Sequence, residues 1–92
     1  MVNEFKNKWR VSIPIGIKKK IKKIQPKEQA RVKNKIYALR DSGTSDPDIK
    51  RLEGRIDWSL RVGRWRIVFR IDLENRTMVA INFGPRGDIY KK

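Results

Sequence analysis

The sequence contains no cysteine and no histidine. The absence of cysteine excludes disulfides, thiolate metal sites and cysteine nucleophiles, and it is compatible with a reducing cytosol. The absence of histidine excludes an imidazole general base, a Ser-His-Asp triad and a zinc site with histidine ligands. Together these absences sharply narrow the kinds of enzyme that the chain can be.

Long apolar runs are also missing. The first eight residues are polar and charged, unlike an apolar signal region, and no later run approaches the length that spans a bilayer. We therefore expect a cytoplasmic protein with no membrane partner.

Acidic residues are few. The 92 residues include 24 Lys and Arg against 10 Asp and Glu, for a net charge of +14. Such a field attracts polyanions and speeds association with them, so nucleic acid is the expected partner. Residues 1–40 hold 13 basic and 2 acidic residues, for +11, whereas residues 41–92 hold 11 and 8, for +3. We expect the two halves to meet different surfaces.

Apolar spacing in the first half predicts one strand and two helices. Alternation over Lys8–Ile13 is typical of a half-buried strand, and isoleucines then recur at helical spacing up to Ile24. Pro26 suits the first turn of a second helix, which should run over Lys27–Arg40. A polar loop follows at Asp41–Pro47.

The apolar period changes to two in the second half, which predicts three antiparallel strands joined by turns at Gly63-Arg64 and Glu74-Asn75-Arg76. The expected inward-facing residues are Trp58, Leu60, Val62, Trp65, Ile67, Phe69, Ile71, Val79, Ile81 and Phe83. We expect one α+β domain over residues 1–92. Its N-terminal strand, helical hairpin and three-stranded antiparallel meander would form a four-stranded sheet of order β-α-α-β-β-β.

Alternation also predicts the chemistry of the sheet face that points away from the helices. Ser59 and Arg61 should point away from the core on one strand, and Arg64, Arg66 and Arg70 on the next. An ordinary solvated face is the alternative. Here the charged positions are all arginine, which binds phosphate oxygens through paired hydrogen bonds and stabilises the extra charge that builds up during RNA cleavage.

Three segments of the second half carry a more specific signal. They are Lys50-Arg51-Leu52-Glu53-Gly54, Trp58-Ser59-Leu60-Arg61-Val62-Gly63-Arg64-Trp65-Arg66-Ile67-Val68-Phe69 and Gly84-Pro85-Arg86-Gly87-Asp88-Ile89-Tyr90. In order and spacing they resemble successive motifs of the RelE/ParE superfamily of toxins. The resemblance covers nearly the whole chain and implies the toxin component of a type II toxin-antitoxin system.

The resemblance also implies an activity. RelE-like members cleave mRNA in the ribosomal A site by attack of a ribose 2′-oxygen on the adjacent phosphate, with no metal or cofactor. Arg61 and Arg66 would bind and polarise that phosphate. Arg86 would stabilise charge or protonate the leaving oxygen, and Tyr90 would hold the bases. The implied partners are a cognate antitoxin, the ribosome with its rRNA, and mRNA. Further expected RNA contacts are Ser59, Arg64 and Lys91.

Some positions depart from the family pattern. Ser59 stands where some of these enzymes carry a lysine, Trp58 and Trp65 replace the commoner tyrosines, and Pro85 replaces a histidine. Arg61 is a poor base because it holds its proton too tightly. The proton acceptor is therefore left unassigned, and catalysis would depend on positioning and on the field at the transition state.

The first predicted helix has a crowded basic surface, formed by Lys18, Lys19, Lys20, Lys22 and Lys23. A solvated helix face that favours solubility is one interpretation. Contact with the ribosomal RNA backbone is the other, and it would be independent of sequence and sensitive to salt.

Two other functions are compatible with the same fold. A ParE-like toxin would inhibit DNA gyrase without ribonuclease chemistry, and an inactive module would bind only nucleic acid or an acidic protein. The presence of both Arg86 and Tyr90 after the last strand favours the ribonuclease.

Overall fold

The computed structural model describes residues 8–54 and 56–85. Its strands are β1 (Arg10–Ser12), β2 (Ile49–Arg51), β3 (Trp58–Val62), β4 (Trp65–Asp72) and β5 (Thr77–Pro85). Its helices are α1 (Ile15–Ile21) and α2 (Pro26–Ser42), and a short 3-10 helix covers Gly43–Ser45.

The two helices form the predicted hairpin. Pro26 begins α2, because its fixed φ angle suits the first turn and its missing N–H is not needed there. The Gln29 side-chain amide donates to the carbonyl of Ile24 at 2.8 Å and so ties the connection between the helices to α2. At the other end of α2, Gly43 has φ 54°, and its N–H donates to the carbonyl of Leu39. Only glycine adopts this backbone conformation readily.

All five strands form one sheet of order β1-β5-β4-β3-β2. The strand β1 pairs with β5 in parallel, and the other neighbours are antiparallel. This confirms the predicted α+β class and the predicted order of elements. It also confirms that the first strand lies at an edge of the sheet. The strand count is corrected from four to five, because Ile49–Arg51 pairs with the outer side of β3. Three residues are too few to display an alternation that sequence can reveal.

The core lies between the helices and one face of the sheet. Ile17 from α1 and Val32 and Leu39 from α2 are buried against it. The sheet contributes Ile49, Leu60, Val62, Ile67, Phe69, Met78, Ala80 and Phe83, with Trp58, Trp65 and Ile71 packed alongside. The hydrophobic effect of burying these side chains holds the helical layer on the sheet.

One part of the predicted core is wrong. Val79 and Ile81 were expected to face inward, but Met78 and Ala80 are buried there and Ile81 is 38% exposed. The cause is a bulge, since Val68 pairs with Asn82 whereas the next residue of β4 pairs with Ala80. The extra residue in β5 shifts the alternation by one position.

Candidate nucleic-acid interface

The β3–β4 hairpin brings two of the predicted site arginines together. Gly63 has φ 61° and the following turn residue does not have a positive φ, which is the pattern of a type II′ turn. This two-residue turn places Val62 opposite Trp65 and Arg61 opposite Arg66. The sequence motif therefore sets the register, and the register pairs the arginines.

The Arg61–Arg66 pair is electrostatically unfavourable by itself. Side chains directly opposite each other on antiparallel strands have Cβ atoms about 4.5–5.5 Å apart, and like charges in such positions destabilise the sheet. An anion bound between them would offset the repulsion, and a phosphate fits the donor geometry of guanidinium groups.

The surface around this pair is the arginine face, defined as the sheet face opposite the helices and formed by Ser59, Arg61, Arg66, Val68, Arg70 and Asn82. On β5, Gly84 lies opposite Arg66. Because Gly84 has no side chain, the cross-strand row of Arg61 and Arg66 carries no third side chain on β5. The Arg66 side chain is half-buried.

A carboxylate holds Arg61 from the side. Its guanidinium lies 3.4 Å from Oδ1 of Asp48, and its backbone N–H donates to the carbonyl of Asp48 at 3.0 Å. Lys35 of α2 binds the same carboxylate at 2.7 Å and that of Asp46 at 2.9 Å. The hydrogen bond from Lys35 is the main cause that lowers the pKa of Asp48, with a smaller contribution from Arg61. The same bond raises the pKa of Lys35, so the network stays charged at neutral pH.

Arg70 has the predicted outward orientation. It is exposed, and its Nε lies 3.3 Å from Oδ1 of the buried Asp57. This contact connects β4 to the residue that precedes β3. Arg70 therefore has a structural partner in the Asp57 carboxylate.

Two predicted RNA contacts are not presented on the open surface of the arginine face. Ser59 is on the arginine face but is only 2% exposed, because the unexpected strand β2 puts Lys50 on one side of it and Val68 flanks it on the other. Arg64 belongs to the turn. It pairs with Glu28 of α2 at 3.3 Å and lies over the Trp65 ring at 5.4 Å, so it is directed to the helical side.

The lysine cluster is not part of the arginine face. Its five lysines are all exposed. They lie on α1 and just after it, and α1 packs through Ile17 on the opposite side of the sheet. The structure thus presents two basic surfaces, one on each side of the molecule.

Three predicted site residues, Arg86, Tyr90 and Lys91, lie outside the described residues. Among residues 8–54 and 56–85, no group of three or more acidic side chains is placed to hold a metal ion. Neither helix within those ranges is long and apolar enough to cross a membrane.

Sequence reasoning missed Asp48 and Lys35. Asp48 contacts Arg61 because β2 follows it directly and pairs with β3. No sequence signal for β2 was available, although the two aspartates flanking Pro47 mark a loop with acidic side chains.

The fold is similar to that of RelE toxins. RelE in a RelE–RelB complex from Pyrococcus horikoshii is 19% identical with a TM-score of 0.72, over 87% of this chain and 97% of that one. A RelBE toxin-antitoxin complex from Mycobacterium tuberculosis gives 24% identity and a TM-score of 0.73, over 86% and 99%. A mutant of E. coli RelE in the free state gives 17% and 0.68, over 90% of each chain.

The sequence matches no protein-family model and no curated protein. The structural likeness nevertheless extends over nearly the whole length of each related chain. The protein therefore has the α+β fold of RelE-like toxins.

Proposed function

We propose that this protein is the toxin of a type II toxin-antitoxin system and acts as a ribosome-dependent endoribonuclease in the cytoplasm. The observation that carries the proposal is the cross-strand pair of Arg61 and Arg66 beside the side-chain-free Gly84. The similar structures, which are RelE toxins alone or in complexes with RelB, support the same class.

In the proposed reaction, a ribose 2′-oxygen attacks the adjacent phosphorus, and the bond to the 5′-oxygen of the next nucleotide breaks. The products are a 2′,3′-cyclic phosphate and a 5′-hydroxyl, so a proton leaves the 2′-oxygen and another reaches the 5′-oxygen. Negative charge increases on the phosphate oxygens in the transition state. Arg61 and Arg66 would stabilise that charge more than the charge of the ground state, which is what accelerates a reaction.

Arg86 remains our candidate for stabilising or protonating the leaving oxygen, and Tyr90 for holding the bases. Neither Arg61 nor Arg66 can serve as the base, since a guanidinium keeps its proton at any working pH. The ribosome would align the mRNA so that the 2′-oxygen lies in line with the bond that breaks. Such alignment accounts for much of the rate acceleration in reactions of this kind.

A cognate antitoxin is the proposed protein partner. The strongly positive surface favours an acidic or amphipathic segment of the antitoxin, through long-range attraction and complementary contact. Expression of this chain alone in a bacterial host should arrest growth, and co-expression of its antitoxin should restore it. Harmless expression at a high level would count against the toxin proposal.

The experiment that tests the activity maps mRNA ends on translating ribosomes incubated with purified protein. Cuts at a fixed position relative to the A-site codon are the expected result. A parallel assay with DNA gyrase and supercoiled plasmid examines the ParE-like alternative. Gyrase-linked DNA breaks without mRNA cuts would replace our proposal by that alternative, and neither product would favour a module that only binds.

A further inference from the structure

A basic pocket lies beside the arginine face. It has a volume of about 480 Å³ and opens between α2 and the end of β3. The side chains that matter for its chemistry are Arg31, Asn34, Lys35, Asp48 and Arg61. Three cations thus surround one carboxylate in a space large enough for a phosphodiester group.

The cations of this pocket differ in their partners. Lys35 is bound by Asp46 and Asp48, and Arg61 by Asp48. Arg31 is exposed and forms no ion pair with any residue in the described part of the chain. Among the described residues, it is therefore the cation of the pocket that no carboxylate pairs with.

The position of Arg31 depends on the turn next to Arg61. Its Nη1 lies 3.1 Å from where a Cβ atom would stand on Gly63. The absence of a side chain at Gly63 lets the guanidinium lie against the backbone of the hairpin turn. Arg31 is thus held near the end of the cross-strand pair, although it comes from a helix on the other side of the sheet.

Arg61 belongs to both surfaces. Its backbone pairs with Arg66 in the hairpin, and its guanidinium reaches Asp48, which lines the pocket. The arginine row therefore continues over the edge of the sheet beyond the end of β2 and into the pocket. A strand of nucleic acid that has one phosphate at the arginine pair would bring a neighbouring phosphate to this edge.

We propose that the pocket is a second phosphodiester-binding subsite, with Arg31 as its principal ligand. Arg31 would supply a paired hydrogen bond to the phosphate, and Asn34 an amide donor from the same helix. The proposal rests on the proposed function for the identity of the ligand as RNA. The phosphate belongs either to the mRNA or to rRNA, and the chemistry of recognition is the same.

The test compares Arg31→Gln with Lys27→Gln. Each variant removes one positive charge from an exposed position of α2, but Lys27 does not line the pocket. The first probe is a single-stranded RNA oligonucleotide with methylated 2′-oxygens, which cannot be cleaved. The second probe is the ribosome without mRNA. Binding is measured over a range of salt concentrations.

For a single strand, loss of one phosphate contact makes the negative slope of log K against log salt shallower by about 0.7. This corresponds to about a three- to fivefold weaker affinity near 0.15 M salt. We expect this change for Arg31→Gln, less than about a twofold change for Lys27→Gln, and recovery of most of the affinity in Arg31→Lys because it keeps the charge.

Weaker binding of the oligonucleotide would assign the subsite to mRNA, and weaker binding of ribosomes alone would assign it to rRNA. Equal effects of Arg31→Gln and Lys27→Gln on both probes would overturn the proposal. The assay requires no cleavage, so the subsite can stand if the proposed nuclease activity fails. Conversely, if the protein cleaves mRNA but the two variants bind both probes equally well, the proposed activity stands and the proposed subsite is rejected.

Discussion

The carboxylate of Asp48 lies 3.4 Å from the Arg61 guanidinium and forms an ion pair with it. The sequence motif predicted that Arg61 binds phosphate, and alternation placed it on the sheet face away from the core. Neither could identify Asp48, since its contact with Arg61 depends on how β2 pairs with β3. The positions of the candidate site residues were thus predictable wherever a local pattern encoded them, and not where strand pairing brought distant segments together.

The Asp48–Lys35 pair predicts a specific pH dependence of stability. Because Lys35 lowers the pKa of Asp48, the stabilisation is present above the ordinary aspartate pKa of about 3.9 and is lost as pH falls through the lower pKa of the folded state. The raised pKa of Lys35 means that its contribution is present below about pH 10.4 and is lost as pH rises through the higher folded pKa.

Asp48→Asn should therefore lower the free energy of unfolding by a constant amount between about pH 5 and 9, and the difference from wild type should shrink below about pH 4. Urea unfolding followed by circular dichroism from pH 2 to 9 measures this. If the difference in unfolding free energy between Asp48→Asn and wild type is the same at pH 2 as at pH 7, the carboxylate charge is not what stabilises this loop.

Adding one methyl group at Gly43 should lower the stability of the protein substantially. Its φ of 54° and ψ of −136° are costly for any other residue, by about 1–3 kcal/mol, and a Cβ there would overlap the Trp9 indole. Gly43→Ala should lower Tm by at least about 4–8 °C, the shift expected for 1 kcal/mol in a domain of this size.

Gly16→Ala is the matched control for Gly43→Ala. Gly16 lies in α1 with open space around it, so the alanine should stabilise the protein by up to about 1 kcal/mol. Thermal unfolding of the two variants should shift in opposite directions. A Gly43→Ala protein as stable as wild type would mean that Trp9 does not pack against this glycine.

Among the elements, the hairpin and α2 were the most predictable. Gly63 marks the turn and Pro26 marks the helix start, and each acts through its own backbone geometry. The strand β5 was predicted with the wrong face over part of its length, because both Val79 and Met78 are apolar and only the bulge decides which is buried. Bulges and three-residue edge strands arise from pairing between strands, which one sequence does not display.

The lysine cluster on and just after α1 gives a prediction for this part of the chain. Replacement of all five by Gln should leave the fold intact, since none is buried. It should weaken ribosome association and flatten its salt dependence, because each lost phosphate contact removes about 0.7–0.9 from the slope. Ribosome pelleting at several salt concentrations measures this. An unchanged slope would assign the cluster to solubility.

For the molecule as a whole, the two basic surfaces lie on opposite sides of one sheet. The sequence already indicated an uneven charge, with +11 in residues 1–40 and +3 in residues 41–92. In the fold, the lysines of the first part lie on the helical side, and the arginine pair of the second part lies on the other. A protein that enters a cleft lined with RNA meets nucleic acid on both sides, and this charge distribution suits such a position.

The central claim is that Arg66 stabilises the phosphate in the transition state. The most direct measurement is single-turnover cleavage of mRNA on programmed ribosomes by wild type, Arg66→Ala and Arg10→Ala, with circular dichroism as a check of folding. Arg10 is exposed on the edge strand β1, two strands away from Arg66 in the sheet, so its loss removes the same charge at a distance.

Our account predicts that Arg66→Ala cleaves about 10²–10³-fold more slowly than wild type, the usual cost of removing one such electrostatic contact. Arg66→Lys should recover part of the rate, because it keeps the charge but loses the paired hydrogen bonds. Arg10→Ala should stay within about twofold of wild type, since a distant exposed charge is screened. A folded Arg66→Ala protein that cleaves at the rate of Arg10→Ala would contradict the account.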